Sequence, residues 1–96
     1  MKLTIINEDN AVYVDGICRI VDLLKCGIPS NVHALQWNET AGWIEFKDNP
    51  DGTKPANEPI TVLPDWANSC VTVWNEWTPY VPPIQSQPTT NGTKTA

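Results

Sequence analysis

The stretch Ala11-Val12-Tyr13-Val14-Asp15-Gly16-Ile17-Cys18-Arg19-Ile20-Val21 sets the frame for the rest of the chain. Two β-rich runs flank Asp-Gly. That pair suits a type I′ turn, which needs positive φ at both central residues and matches the twist of the strands it joins. Closing the turn at Val14 and Ile17 puts Tyr13 opposite Cys18 and Val12 opposite Arg19. The stretch predicts a β-hairpin with a defined register.

Upstream, Lys2-Leu3-Thr4-Ile5-Ile6 is a short β-branched run that ends in the polar cluster Asn7-Glu8-Asp9-Asn10. Downstream, residues 22–30 contain Gly27 and Pro29 and read as a connection with one helical turn at 22–24. Residues 32–37 then alternate, and a strand resumes at Trp43-Ile44-Glu45-Phe46. This predicts a second hairpin with a five-residue loop at 38–42. With Trp37 and Trp43 flanking that loop, His33, Leu35, Trp37 and Trp43 would share one face, and Ala34, Ile44 and Phe46 the other. A slip of one residue would exchange these sets. On this register the two indoles could stack across the strands or turn outward to a partner.

Residues 48–59 carry three prolines and Asp51-Gly52 and read as a long exposed loop, with a short edge strand or helix approach at 60–63. Between 64 and 77, Trp66, Cys70, Val73, Trp74 and Trp77 recur on one helical face. Pro64 suits the first helical position and Asp65 the positive end of the helix dipole. Thr78-Pro79 ends the helix, because a residue before proline avoids the α region. Val71-Thr72-Val73 is a poor helix former, so this helix needs a sheet to pack on, and a strand at 70–74 is the rival reading. The expected fold is α+β: a small antiparallel β-sheet of two hairpins with one C-terminal amphipathic helix over residues 1–78. Residues 79–96 form an expected extended, Pro/Thr-rich arm.

Composition narrows the chemistry. The chain has 96 residues, six Lys+Arg against eleven Asp+Glu, a net charge of −5, five tryptophans and only 18% charged residues. A single small domain of this size has a thin core. An acidic chain without a basic run offers phosphate backbones no footprint, so nucleic acid is not an expected partner. No apolar run reaches the length of a signal peptide or a membrane span, which predicts a soluble chain. Three widely spaced cysteines, Cys18, Cys26 and Cys70, argue against a disulfide framework and read as small buried residues. With His33 they could supply four zinc ligands, but the paired spacing of structural zinc sites is missing. Asn38-Glu39-Thr40 and Asn91-Gly92-Thr93 match the glycosylation sequon and read as polar turns.

His33 is the single histidine and has no nucleophile motif beside it. Acid pairs such as Glu39 with Glu45, or Asp48 with Asp51, fall in or beside turns. Phosphate-cradling glycine loops and calcium loops are absent from the sequence, so no enzyme, cofactor or metal is expected. The aromatic surplus points instead to contact surfaces. The candidate partner-binding residues are Trp37, Trp43 and the arm segment Tyr80-Val81-Pro82-Pro83-Ile84.

The order of Val12-Tyr13-Val14-Asp15-Gly16, Val32-His33-Ala34-Leu35-Gln36-Trp37, Gly42-Trp43-Ile44-Glu45-Phe46, Lys54-Pro55-Ala56-Asn57-Glu58-Pro59-Ile60 and Trp74-Asn75-Glu76-Trp77 resembles the N-terminal part of small tailed-bacteriophage structural proteins. The similar proteins come from tail-fibre regions and are tail-fibre-assembly-like, and the resemblance covers residues 1–78. It implies a virion component or assembly factor without catalysis, located in the virion and working through contacts with other tail, fibre or capsid proteins. Similar proteins often continue into a further segment after the Trp-x-x-Trp helix. The short Pro/Thr tail here weighs against a chaperone and towards an adaptor or decoration subunit whose arm reaches a neighbour. Three other roles fit the same surfaces: a capsid cement protein, a small acidic inhibitor of a host protein, and a carbohydrate-binding module using Trp37 and Trp43.

Overall fold

A computed structural model describes residues 1–78 of the chain; the expected arm lies outside the described residues, as do Tyr80, Val81, Pro82, Pro83 and Ile84. Six strands and one helix follow in order: β1 (Lys2–Ile6), β2 (Ala11–Val14), β3 (Ile17–Ile20), β4 (Val32–Asn38), β5 (Ala41–Phe46), β6 (Glu58–Ile60) and α1 (Asp65–Asn75). The strands form one antiparallel sheet in the order β3-β2-β1-β4-β5-β6. The fold is α+β as the sequence predicts. The two hairpins are fused through β1, which pairs with β2 on one side and β4 on the other.

The first hairpin forms at the expected register: Val14 pairs with Ile17, Tyr13 with Cys18 and Val12 with Arg19. Asp15 and Gly16 take φ of 49° and 85°, the left-handed pair that a type I′ turn requires. Asp15 is also tied to β1, accepting from the Lys2 N–H at 2.8 Å and donating its own N–H to the Lys2 carbonyl at 2.8 Å.

The second hairpin differs from the expectation. Its turn has two residues, Glu39 and Thr40, not five, since Asn38 pairs with Ala41, Trp37 with Gly42 and Gln36 with Trp43. Glu39 supplies the positive φ, 60°, and its N–H reaches the Met1 carbonyl at 3.0 Å. The shorter turn moves β5 along its partner and turns Trp37 and Trp43 to opposite faces. Gly42 is a strand residue, not part of the loop. A Cβ there would run into the Gln36 carbonyl oxygen and stand 2.8 Å from the Trp37 Cα.

Three boundaries also shift. The helical turn after β3 is a 3-10 turn at Leu24–Cys26, two residues later than expected, closed by Gly27 at φ 77°. Residues 58 and 59 leave the loop for β6. Pro64 caps α1 in an extended conformation instead of opening it, and the helix ends at Asn75, before Trp77.

The core lies mainly on one face, with the small Ala11 and Ala34 buried on the other. Leu3, Ile5, Val12, Val14, Leu35 and Ile44 point to the side covered by α1 and by the segment through Val21, Leu23 and Cys26. From α1, Ala67 and Cys70 are fully buried, with Val71 and Trp74 packed beside them. Burying a side chain such as Leu35 contributes about 1.5–3 kcal/mol, enough to hold a helix with poor intrinsic propensity. Arg19 fastens the end of α1 to β3. Its guanidinium lies 3.9 Å from the Trp74 ring centre and donates to the Trp74 carbonyl at 2.9 Å, while the Trp74 indole N–H donates to the Ile17 carbonyl at 3.0 Å. Trp77, read from sequence as part of the helix face, lies past the helix end with its ring centre 5.0 Å from the Arg19 guanidinium and stays exposed.

Candidate interaction surface

Strand alternation puts every second residue on the face away from α1, where no described element covers it. The pairing registers join into one row that crosses all six strands: Cys18, Tyr13, Thr4, Gln36, Trp43 and Pro59. Two aromatics, Tyr13 and Trp43, stand three strands apart in this row, about 14 Å at ordinary strand spacing. Both are exposed, at 38% and 43%. Between them lies a low polar floor.

The floor is organised by one bond. The Thr4 hydroxyl donates to Gln36 Oε1 at 2.8 Å, which leaves the Gln36 amide hydrogens available to an incoming acceptor. Trp43 is held by its own strand, as its indole N–H donates to Glu45 Oε2 at 2.8 Å. An indole fixed in this way loses little side-chain entropy on meeting a partner, a property of aromatic anchors at interfaces. Two shallow grooves share Lys2 and Thr4: about 280 Å³ beside Tyr13 and Gly16, and about 210 Å³ beside Gln36, Trp37, Asn38 and Trp43. Together they make a trough along the row. At Tyr13, the neighbouring Cys18 thiol, slight burial and the nearby Asp9 raise the phenol above its ordinary pKa, so it stays a neutral hydroxyl.

The remaining sequence candidates fall elsewhere. Trp37 lies on the helix side, half-buried against the core, and does not join Trp43 on the open face. Cys18 is exposed at the sheet edge, against the reading of all three cysteines as buried, whereas Cys26 and Cys70 are buried as expected. The zinc set of Cys18, Cys26, His33 and Cys70 is not brought together, and no group of three metal-ligating side chains occurs among the described residues. Burial, with Cys26 alongside, pushes the Cys70 thiol up to about 12. It is a packing residue.

His33 belongs to a surface ion network at the other end of β4. Its Nδ1 lies 2.8 Å from Glu8 Oε1, and Lys47 Nζ 3.8 Å from Glu8 Oε2. Slight burial works against ionisation of Glu8, but a backbone N–H, His33 and Lys47 outweigh it and hold the carboxyl below its ordinary range. A hollow of about 580 Å³ lies beside Lys47 of this network, lined by Asn31, Phe46 and the loop residues Asp48, Asn49, Pro50, Pro55 and Ala56. Among the described residues no hydroxyl or thiol hydrogen-bonds His33, so the pair lacks a nucleophile to activate.

Tyr13, Thr4 and Gln36 are functional candidates that sequence reading missed. Their signal was present in the β1 and β2 alternation, but finding it required knowing that β1 sits between the hairpins. No helix of the described residues is long and apolar enough to cross a membrane. Comparison with protein-family models, curated proteins and solved structures returned no match.

Proposed function

We propose that this chain is a non-enzymatic bacteriophage virion or assembly protein, associated with the tail or tail fibres, that works through subunit contacts made by the open face of its sheet. The observation that carries the contact reading is the cross-strand row with exposed Tyr13 and Trp43 flanking the Thr4–Gln36 pair. Small folded monomers spread single apolar side chains over their surfaces; two rigid aromatics aligned across a sheet make a platform. The phage context rests on the motif order in residues 1–78. A subunit role also suits a chain with all eleven acids in residues 1–78 and no basic tract.

The test is quantitative mass spectrometry of purified virions and of tail-assembly intermediates. The expected result is this chain at a fixed ratio to the tail or fibre subunits in one of these fractions. Its absence from both would refute the role, and hundreds of copies per particle would move it to the capsid surface.

A further inference from the structure

The two edges of the sheet are finished differently. β6 is three residues long and carries Glu58 and Pro59, devices that blunt an edge by charge and by the missing N–H. β3, at the opposite end, has no proline, no lysine and no bulge. Its side chains Ile17 and Ile20 are 57% and 63% exposed, and Cys18 is exposed as well. The one charge on the strand, Arg19, is turned to the helix side and engaged by Trp74 and Trp77. Natural sheets rarely leave an apolar edge unguarded unless it is used.

We infer that β3 pairs antiparallel with β3 of a second copy of this chain, joining two sheets into one of twelve strands. The pairing inside the first hairpin fixes which backbone groups are free. Val14–Ile17 closes a two-residue turn and is a hydrogen-bonded pair, as the Val21 N–H bond to the Asn10 carbonyl at 2.9 Å confirms farther along the same ladder. Alternation then points the N–H and C=O of Cys18 and Ile20 outward. A two-fold axis normal to the sheet keeps each face continuous, so only residues on the same face can oppose each other.

Placing the axis at Arg19 would set two guanidinium groups against each other. Placing it at Cys18 avoids this. Cys18 then exchanges both backbone hydrogen bonds with its symmetry mate, and Ile17 meets the aliphatic stem of Arg19 beside the exposed Trp77 ring. A second copy is the occupant the two edges favour. With one edge left open by the described residues and one blunted edge, self-pairing closes at two subunits and leaves a β6 edge at each end, so the assembly cannot grow into a fibre.

The seam is small, so the dimer is expected to build up between about 1 and 100 μM. Sedimentation equilibrium of the full chain under reducing conditions reads it. The expected result is a concentration-dependent dimer that Cys18→Lys makes monomeric by placing two ammonium groups on the axis, while Trp43→Ala, on the open face, leaves the dimer unchanged. Circular dichroism shows whether Cys18→Lys stays folded, and Ile20→Lys serves as the second edge variant. A short bis-maleimide should link the dimer through Cys18 alone, since Cys26 and Cys70 are buried. A chain that remains monomeric at 100 μM, or a dimer that survives both lysine variants, would overturn the inference. Because the seam uses the edge, its failure leaves the open-face reading intact.

Discussion

On the helix side of β1 stand Leu3 and Ile5, at 1% and 0% exposure; one residue along the same strand, on the other side, stands Thr4, hydrogen-bonded to Gln36. The same contrast runs through β4 and β5, where Leu35 and Ile44 are buried while Gln36 and Trp43 face outward. One face uses branched aliphatics that α1 seals from water. The other carries Tyr13, Thr4, Gln36 and Trp43 across its middle and a smaller apolar strip of Ile6, Ala11, Ala34 and Ile20 beside them. A sheet with one covering layer needs only one apolar face to fold, so the chemistry of the second is free to serve recognition.

The sharpest way to break this contrast is to truncate one residue on each face. Leu35→Ala removes a fully buried side chain under α1 and should cost about 2–5 kcal/mol. Trp43→Ala removes a larger side chain from the open face and should cost no more than about 1 kcal/mol. Urea denaturation followed by far-ultraviolet circular dichroism gives both values. Equal losses would mean that the open face is part of the core.

Gly42→Ala tests why the helix side has room for Trp37 across from β5. The new methyl would meet the Gln36 carbonyl and the Trp37 backbone, so the second hairpin has to shift, at a cost of about 2 kcal/mol or more in the same assay. A neutral result would mean that the β4–β5 register is not the one described.

Thiol labelling sharpens the comparison without mutation. A maleimide reagent at pH 7 should modify Cys18 within minutes and reach Cys26 and Cys70 only in denaturant. Folding holds the Cys70 thiol neutral by raising its pKa from 9.0 to about 12. That contribution is fully present below pH 9.0, is lost as pH rises toward about 12, and should appear as alkaline destabilisation that Cys70→Ala removes.

The smallest effect belongs to Glu8. Its carboxyl pKa is lowered in the fold from 4.5, so its contribution is present above that value and is lost as pH falls through the folded one. Glu8→Gln should reduce stability at pH 6 by less than about 1 kcal/mol, as for other exposed pairs, and the difference should shrink as pH falls below 4.5.

How much of this was legible depends on where the turn chemistry sits. Asp15-Gly16 places a glycine at a position of positive φ, and the first hairpin follows from it down to each cross-strand pair. In the second hairpin the left-handed residue is Glu39, whose side chain gives no such signal, and the nearby Gly42 is needed in the strand for close packing. Reading Gly42 as loop lengthens the turn and exchanges the faces of Trp37 and Trp43. The α1 pattern predicted the helix and most of its packed face, since Trp66, Cys70, Val73 and Trp74 all lie against the core; it passed over Ala67, which is small, and ran on to Trp77, past the helix end. Placement of β1 between the hairpins was not legible. It is set by pairings over about thirty residues, which no local pattern encodes, and with it the row from Tyr13 to Trp43 stayed hidden.

The most direct test of the account is particle incorporation of a Tyr13→Ser/Trp43→Ser double variant beside the parent chain. The account predicts a thermal midpoint within a few degrees of the parent, since neither ring belongs to the core, together with a tenfold or greater loss of the chain from virions or tail intermediates. A variant as stable as its parent that is incorporated to the same level would contradict it.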